Sequence, residues 1–305
     1  MGSDGPAMRV PLALAALGLL AGCIAPTSSP DAEVLATFYP LAYAAERLAG
    51  NNVTTGTLVP GGVEPHDWEP APADVVRLGK ARLVLTQGGG FEPWLDGLLA
   101  NFGGEAPRVL VTTSTIALAA HEHEEGEEEE EGHDGELDPH TWLAPHLFER
   151  QVQIMEGALA AEWPEHADAI RARGAAFLAE LAALADEYET GLATCEARVI
   201  VANHDAYGYL AREYRFEVVA LSGLSPEAEP DPATLAAAID LAREHNLTII
   251  FFEELVSPRV AQIVADEVGA QTRVLSPIES RPPSGDYLTL SRENLTNLRE
   301  AMRCT

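Results

Sequence analysis

The sequence predicts an α/β protein of two lobes, each with a mainly parallel four-stranded sheet flanked by helices, joined by one long connecting helix. Three observations carry this. Short apolar runs of strand length alternate with helix-patterned segments, and the alternation occurs twice over. Between the two series lies a helical pattern, Glu165 to Ala193, with no glycine or proline pair after Gly174 to break it. The chain has 305 residues, 47 % of them apolar and with no internal apolar run of membrane-spanning length, which is enough for two cores.

In the first series, Val34–Phe38 reads as a buried strand and Leu41–Leu48 as a helix. Strand runs at Val53–Val59, Arg82–Thr86 and Arg108–Thr112 then alternate with helical patterns at Ala73–Lys80 and Phe91–Phe102. Strands separated by helices imply parallel βα units, with ligand sites beyond the carboxyl ends of the strands. Residues 117–137 are low in complexity, too charged to bury and too glycine-broken to hold a helix, and are expected to form a loop.

Beyond the loop, Pro145–Ala161 reads as a helix and Pro164 restarts it. The connecting segment repeats apolar residues at Ile170, Phe177, Leu181, Leu184 and Tyr188, and predicts a helix about 40 to 45 Å long. The second series follows. Its strands are expected at Arg198–Ala202, Glu217–Leu221, Thr248–Phe252 and Thr272–Leu275, and its helices at Ala206–Tyr214, Pro232–His245, Ser257–Val268 and Asp286–Met302. The resulting division is residues 32–163 for the first lobe, 164–194 for the connecting helix and 195–305 for the second lobe.

At the N-terminus, Arg9 precedes an apolar segment, Val10 to Ala21, that ends in Leu20-Ala21-Gly22-Cys23. This is a lipoprotein signal sequence over residues 1–23 with Cys23 as the lipidated residue, followed by a linker over 24–31. More than one acyl chain there would anchor the protein stably. Export makes Cys195 and Cys304 candidates for a disulfide, because nothing outside the membrane keeps thiols reduced. Asn52, Asn246 and Asn294 stand in sequons, which fit an exported surface.

The formal charge is −29. Residues 121–136 hold nine Glu and one Asp, and without these ten charges the chain still carries −19. An acidic folded surface argues against nucleic acid or anionic lipid as a partner and suits a cation as ligand.

The histidines give that cation a place. His66 stands in Glu64-Pro65-His66-Asp67-Trp68, His140 in Asp138-Pro139-His140 and His204 in Asn203-His204-Asp205. Each lies in a loop feeding the predicted cleft. Prolines restrict the backbone before two of them, and Asp67, Asp138 and Asp205 are placed to orient an imidazole. Three neutral imidazoles suit Zn²⁺ in a tetrahedron better than Mn²⁺, which favours more oxygen. Glu253, at the end of a predicted strand, is a candidate for the fourth ligand or for an orienting group. His121, His123 and His133, among the carboxylates of the acidic loop, offer weaker and exchangeable cation sites. His146, His166 and His245 fall on helix patterns and are expected at the surface.

Together the lipobox at Cys23, Pro65-His66-Asp67, Asp138-Pro139-His140-Thr141-Trp142-Leu143, His204-Asp205-Ala206-Tyr207-Gly208-Tyr209, and Phe252-Glu253 with Ser257-Pro258 resemble the metal-binding lipoproteins of zinc and manganese ABC importers. The resemblance covers essentially the whole mature chain. It implies two α/β lobes on a rigid helix and a monomer held by its lipid anchor on the outer face of the cytoplasmic membrane. It also implies capture of a divalent metal for an ABC transporter permease and its ATPase, with no nucleic acid partner and no enzymatic turnover. Manganese or iron members carry a carboxylate where this chain has His204, and an aspartate after the last strand. Here that stretch reads Leu275-Ser276-Pro277-Ile278-Glu279-Ser280, so zinc is the expected ion and Glu279 joins Glu253 as a candidate for the fourth position. Three alternatives stand beside it: a manganese or iron member of the same family, a zinc-dependent hydrolytic enzyme that uses the open position, and a surface adhesin. Because a continuous helix resists hinge motion, metal release is expected to depend on loop rearrangement around His140 and His204.

Overall fold

The computed structural model describes residues 1–2, 32–120, 136–226 and 230–305. The signal segment with Cys23, the linker to residue 31 and the loop histidines His121, His123 and His133 lie outside the described residues.

The first lobe is built on β1 (Val34–Ala36), β2 (Thr55–Thr57), β3 (Leu83–Thr86) and β4 (Arg108–Val111), all parallel in the order β2-β1-β3-β4. Helices α1 (Tyr39–Ala49), α2 (Pro72–Lys80) and α3 (Leu95–Leu99) connect them. Parallel pairing requires such crossovers, and it places every strand's carboxyl end at one edge of the sheet. α3 is much shorter than the Phe91–Phe102 pattern suggests. The Glu92 carboxylate accepts hydrogen bonds from the N–H groups of Gln87 and Gly88 (2.8 and 3.0 Å) and from the Thr37 hydroxyl (2.6 Å). That carboxylate closes a turn through Gly88, Gly89 and Gly90, all at positive φ, and helix begins only after Pro93.

α4 (Pro145–Glu162) leads through a 3-10 turn at Pro164–His166 into α5 (Ala167–Gly191). At 25 residues α5 is about 37 Å long, shorter than expected because the chain restarts at the turn rather than running on from Pro164. It buries Ile170, Phe177, Leu181, Leu184 and Tyr188, a one-face repeat of seven, four, three and four residues, against α1, α4 and α9.

The second lobe contains β5 (Val199–His204), α6 (Gly208–Tyr214), β6 (Glu217–Ser222), α7 (Pro232–Glu244), β7 (Ile249–Phe252), α8 (Arg259–Val268), β8 (Gln271–Val274) and α9 (Tyr287–Ala301). The expected four strands are present and parallel, and their hydrogen bonds form two ladders, β5-β6 and β7-β8. Between the ladders, the His204 N–H donates to the Glu253 side chain rather than to a neighbouring backbone.

One apolar core runs through both lobes from Val34 to Met302, and smaller clusters back each sheet. Cys195 and Cys304 form a disulfide that ties the last residues to the start of the second lobe. Closing a loop of 109 residues is worth about 4 to 5 kcal/mol on the chain-entropy model. Asn294, a sequon asparagine expected at the surface, is instead buried and bonded through its side chain to both backbone groups of Ser276.

Candidate metal centre

Four side chains converge where the strand ends of the two lobes meet. His66 lies in the loop between β2 and α2, and His140 precedes the 3-10 turn Thr141–Leu143 that leads into α4. His204 is the last residue of β5, and Glu279 lies in the segment between β8 and α9. One ligand atom from each lies within 4.8 Å of the others.

The geometry matches a small tetrahedral cation. Nε2 of His140 is 3.3 Å from Nε2 of His66 and 3.3 Å from Nε2 of His204, and Nε2 of His66 is 3.3 Å from Oε1 of Glu279. Ligands 2.0 to 2.1 Å from a tetrahedral zinc stand about 3.3 Å apart. Two further edges, from Glu279 to His140 and to His204, are 3.8 and 4.0 Å, and the sixth, from His66 to His204, lies within 4.8 Å. His140 and His204 are fully buried, Glu279 is nearly so, and the His66 side chain keeps 10 % exposure. Solvent therefore reaches the cage past His66.

Two imidazoles are held by the same device. One oxygen of Asp138 accepts both the backbone N–H and the Nδ1–H of His140, each at 2.9 Å. One oxygen of Glu253 accepts the backbone N–H of His204 at 3.2 Å and its Nδ1–H at 2.7 Å. Donation from Nδ1 sets the tautomer and leaves the Nε2 lone pair facing the cage. The Glu64 carboxylate accepts the backbone N–H of His66 at 3.1 Å, and the His66 ring packs on the edge of Phe91.

The surroundings hold protons until a cation takes their place. Burial alone would lower the pKa of His204, but the charge and hydrogen bond of Glu253, with Glu279 and Glu64 beyond, raise it to about 9. At His66 burial likewise opposes the charged form, and the hydrogen bond and charge of Glu279 outweigh it, so its pKa rises. Burial pushes Asp138 up to about 7 against the hydrogen bond from His140. Burial, and then the charge of Glu279, push Glu64 up to about 8.

The loop carrying Glu279 is pinned to the His140 segment. Trp142 Nε1 donates to the Pro277 carbonyl at 2.8 Å, and the Tyr287 hydroxyl donates to the Trp142 carbonyl. Ile278 sits at φ 56°, a left-handed conformation that a β-branched residue rarely adopts, and it is buried. The Ser276 hydroxyl accepts its N–H and helps to hold it there.

The structure brings together His66, His140, His204 and Glu279, and it places Glu253 and Asp138 behind the imidazoles. Asp67 is exposed, and Asp205 is half-buried near Asp138. The orienting carboxylates are therefore Asp138 and Glu253. Sequence reasoning missed Glu64, although it stands two residues before His66 in the same motif. It also missed Gln87 and Gln151, which brace the His140 segment from beneath. His146 is largely exposed, as its helix position suggested.

Residues 34–301 match the family described as ZnuA, zinc-uptake complex component A, periplasmic. The chain is 32 % identical over 279 residues to the high-affinity zinc uptake system protein ZnuA of Bacillus subtilis, with 88 % of this chain and 87 % of that protein covered. It is 31 % identical over 276 residues to the zinc-binding lipoprotein AdcA of Streptococcus pneumoniae, covering 88 % of this chain but only 55 % of that longer protein. The solved Zn(II)-bound ZnuA-like domain of Streptococcus pneumoniae AdcA superimposes with a TM-score of 0.75 at 28 % identity, covering 89 % of this chain and 99 % of the domain. A match over nearly all the described residues, on a fold whose strand ends carry a three-histidine, one-carboxylate cage, establishes that this chain belongs to the ZnuA family of periplasmic zinc-uptake components.

Proposed function

We propose that this chain is the extracytoplasmic, lipid-anchored receptor that captures Zn²⁺ and delivers it to the permease of an ABC importer and its ATPase. The observation that carries the reading is the convergence of His66, His140, His204 and Glu279 within 4.8 Å, at separations close to the edges of a zinc tetrahedron. Three nitrogens and one oxygen favour zinc over manganese, which calls for more oxygen ligands. In this reading the four side chains are the zinc ligands. Glu279 closes the position that a catalytic zinc would leave to water, which favours capture over turnover.

Zinc enters and leaves past His66, because His140 and His204 are clamped by buried carboxylates. The segments that rearrange in this reading carry His66 and Glu279, the latter moving beyond its tether at Pro277, rather than those around His140 and His204. The Gly62 N–H donates to the Ser280 hydroxyl at 2.6 Å and joins these two segments across the mouth. His121, His123 and His133 act as a weaker collector ahead of the cage, and Cys23 carries the lipid.

Competitive titration of zinc and manganese against the full chain, His204→Ala, Glu279→Ala and a deletion of residues 121–135 tests this. The expected result is one tight, zinc-selective site, lost in the two point variants and kept in the deletion. Equal affinity for manganese, or a tight site untouched by both point variants, overturns the reading.

A further inference from the structure

The strand that ends in His204 also serves a second concavity. Adjacent residues of a strand face opposite ways, so the His204 side chain enters the metal cage while Asn203 faces a cavity of about 330 Å³ in the second lobe. This cavity lies at the carboxyl ends of β5, β6 and β7, where parallel α/β sheets bind ligands. Asn203, Ser222, Pro226, Pro230, Ser257 and Arg259 contribute to its wall.

Two independent features point to an anion. Asn203 is 6 % exposed as a residue, its side chain lines the cavity, and among the described residues no group hydrogen-bonds its amide. Only its backbone is engaged, with the carbonyl accepting the Ser222 hydroxyl at 2.9 Å. The second feature is the start of α8, a ten-residue helix that opens into the cavity. Its first turn has no acidic residue and its preceding Pro258 provides no side-chain cap, and the Arg259 N–H reaches the Ser257 hydroxyl only at 3.4 Å. A helix N-terminus carries partial positive charge, and an arginine in its first turn adds to that charge instead of neutralising it. The Arg259 side chain is exposed and has no ion pair among the described residues.

We propose that this cavity is a second ligand site, separate from the metal centre, for a small oxyanion of the phosphate or carboxylate class. The Arg259 guanidinium and the first N–H groups of α8 take the charge, and the Asn203 amide donates the hydrogen bond it lacks. The pocket stands at the small end of the range for small-molecule sites, which admits a phosphate or a short dicarboxylate but not a large cofactor.

The test uses the full chain, stripped of zinc so that phosphate cannot precipitate it. Thermal unfolding is followed in sodium phosphate and in sodium succinate, against sodium chloride at matched ionic strength, with equilibrium dialysis of labelled anion as the second measurement. A saturable rise in Tm with about one anion bound per chain is expected in at least one arm, and the arm that responds identifies the anion class. Arg259→Gln should weaken that binding at least about tenfold, in line with loss of a charge-assisted contact, and leave zinc affinity unchanged. Asn203→Ala should weaken it as well. A rise no greater than in chloride in both arms, or saturable binding unaltered in Arg259→Gln, overturns the proposal.

Discussion

In the proposed site a proton and a zinc ion compete for Nε2 of His204. With a pKa raised to about 9, this imidazole is protonated in the metal-free chain at neutral pH, paired with Glu253. Its pKa lies above the ordinary 6.5, so the stability it gives the metal-free fold is complete below 6.5 and lost as pH rises through about 9. Zinc must displace that proton, so zinc affinity should climb as pH rises towards 9 and fall as pH drops. Calorimetry in buffers of different ionisation enthalpy should show net proton release on binding at pH 7, and zinc uptake without proton release would contradict the protonated starting state. Glu253 touches no other ligand of the cage, yet Glu253→Gln should cost about 10- to 100-fold in zinc affinity, because it fixes the tautomer and the ring. Chelator competition would measure this, and His204→Ala should lose more. The sequence showed His66, His140 and His204 plainly, since each stands at a strand end or behind a proline, although His204 closes β5 itself rather than lying in the loop after it. It could not rank Glu253 against Glu279, because both follow second-lobe strands. Only packing reveals that Glu253 turns to Nδ1 of one histidine while Glu279 reaches Nε2 of all three.

Between residue and fold, the decisive element is the segment from Asp138 to Ala144. It is braced by a buried amide network that no periodicity announces. Gln87, after β3, donates to the Pro139 carbonyl and to the Thr141 hydroxyl. Gln151, on α4, donates to the Gln87 side-chain oxygen (2.8 Å) and to the Thr112 hydroxyl (2.9 Å), and it accepts from Thr141 (3.0 Å). A glutamine in an amphipathic helix reads from sequence as a surface position, yet Gln151 is fully buried. Gln151→Ala leaves several of these groups without partners and should destabilise the fold by about 1 to 3 kcal/mol. Denaturant unfolding of the zinc-free variant checks this, and its zinc affinity should fall too as the His140 segment loosens. The same limit explains α3. Its apolar spacing was legible, but the capture of Glu92 by the turn at Gln87 and Gly88 depends on a long-range bond to Thr37. The longer elements were read almost to the residue, because their patterns repeat over several turns, as α4 and α9 illustrate.

At the scale of the molecule, the two lobes share one core and are bolted together on several sides, which decides how metal can be released. The Tyr43 ring stacks on Tyr287 at 5.8 Å, and its hydroxyl donates to Asp286. Arg281 pairs with Glu46, and the Tyr209 hydroxyl donates to the Asp138 carbonyl at 2.8 Å. Opening the lobes as rigid bodies would expose Trp142 and Tyr287, both essentially buried between them, and would desolvate nothing in return. Moving the segments that carry His66 and Glu279 costs the bond between Gly62 and Ser280, the bond from Trp142 to Pro277 and the Arg281–Glu46 pair, but it leaves the Trp142 and Tyr287 rings and the shared core in place. The strained Ile278 beside Glu279 lowers the cost of that movement further, because leaving its conformation relieves the strain. X-ray scattering of zinc-free and zinc-loaded protein should therefore give the same radius of gyration within error. Hydrogen exchange should slow on zinc binding in residues 60–71 and 276–281, with α5 and the sheets unchanged. A measurable contraction on loading, or protection spread along α5, would mean that the lobes close as rigid bodies and that the shared core yields more easily than its packing implies.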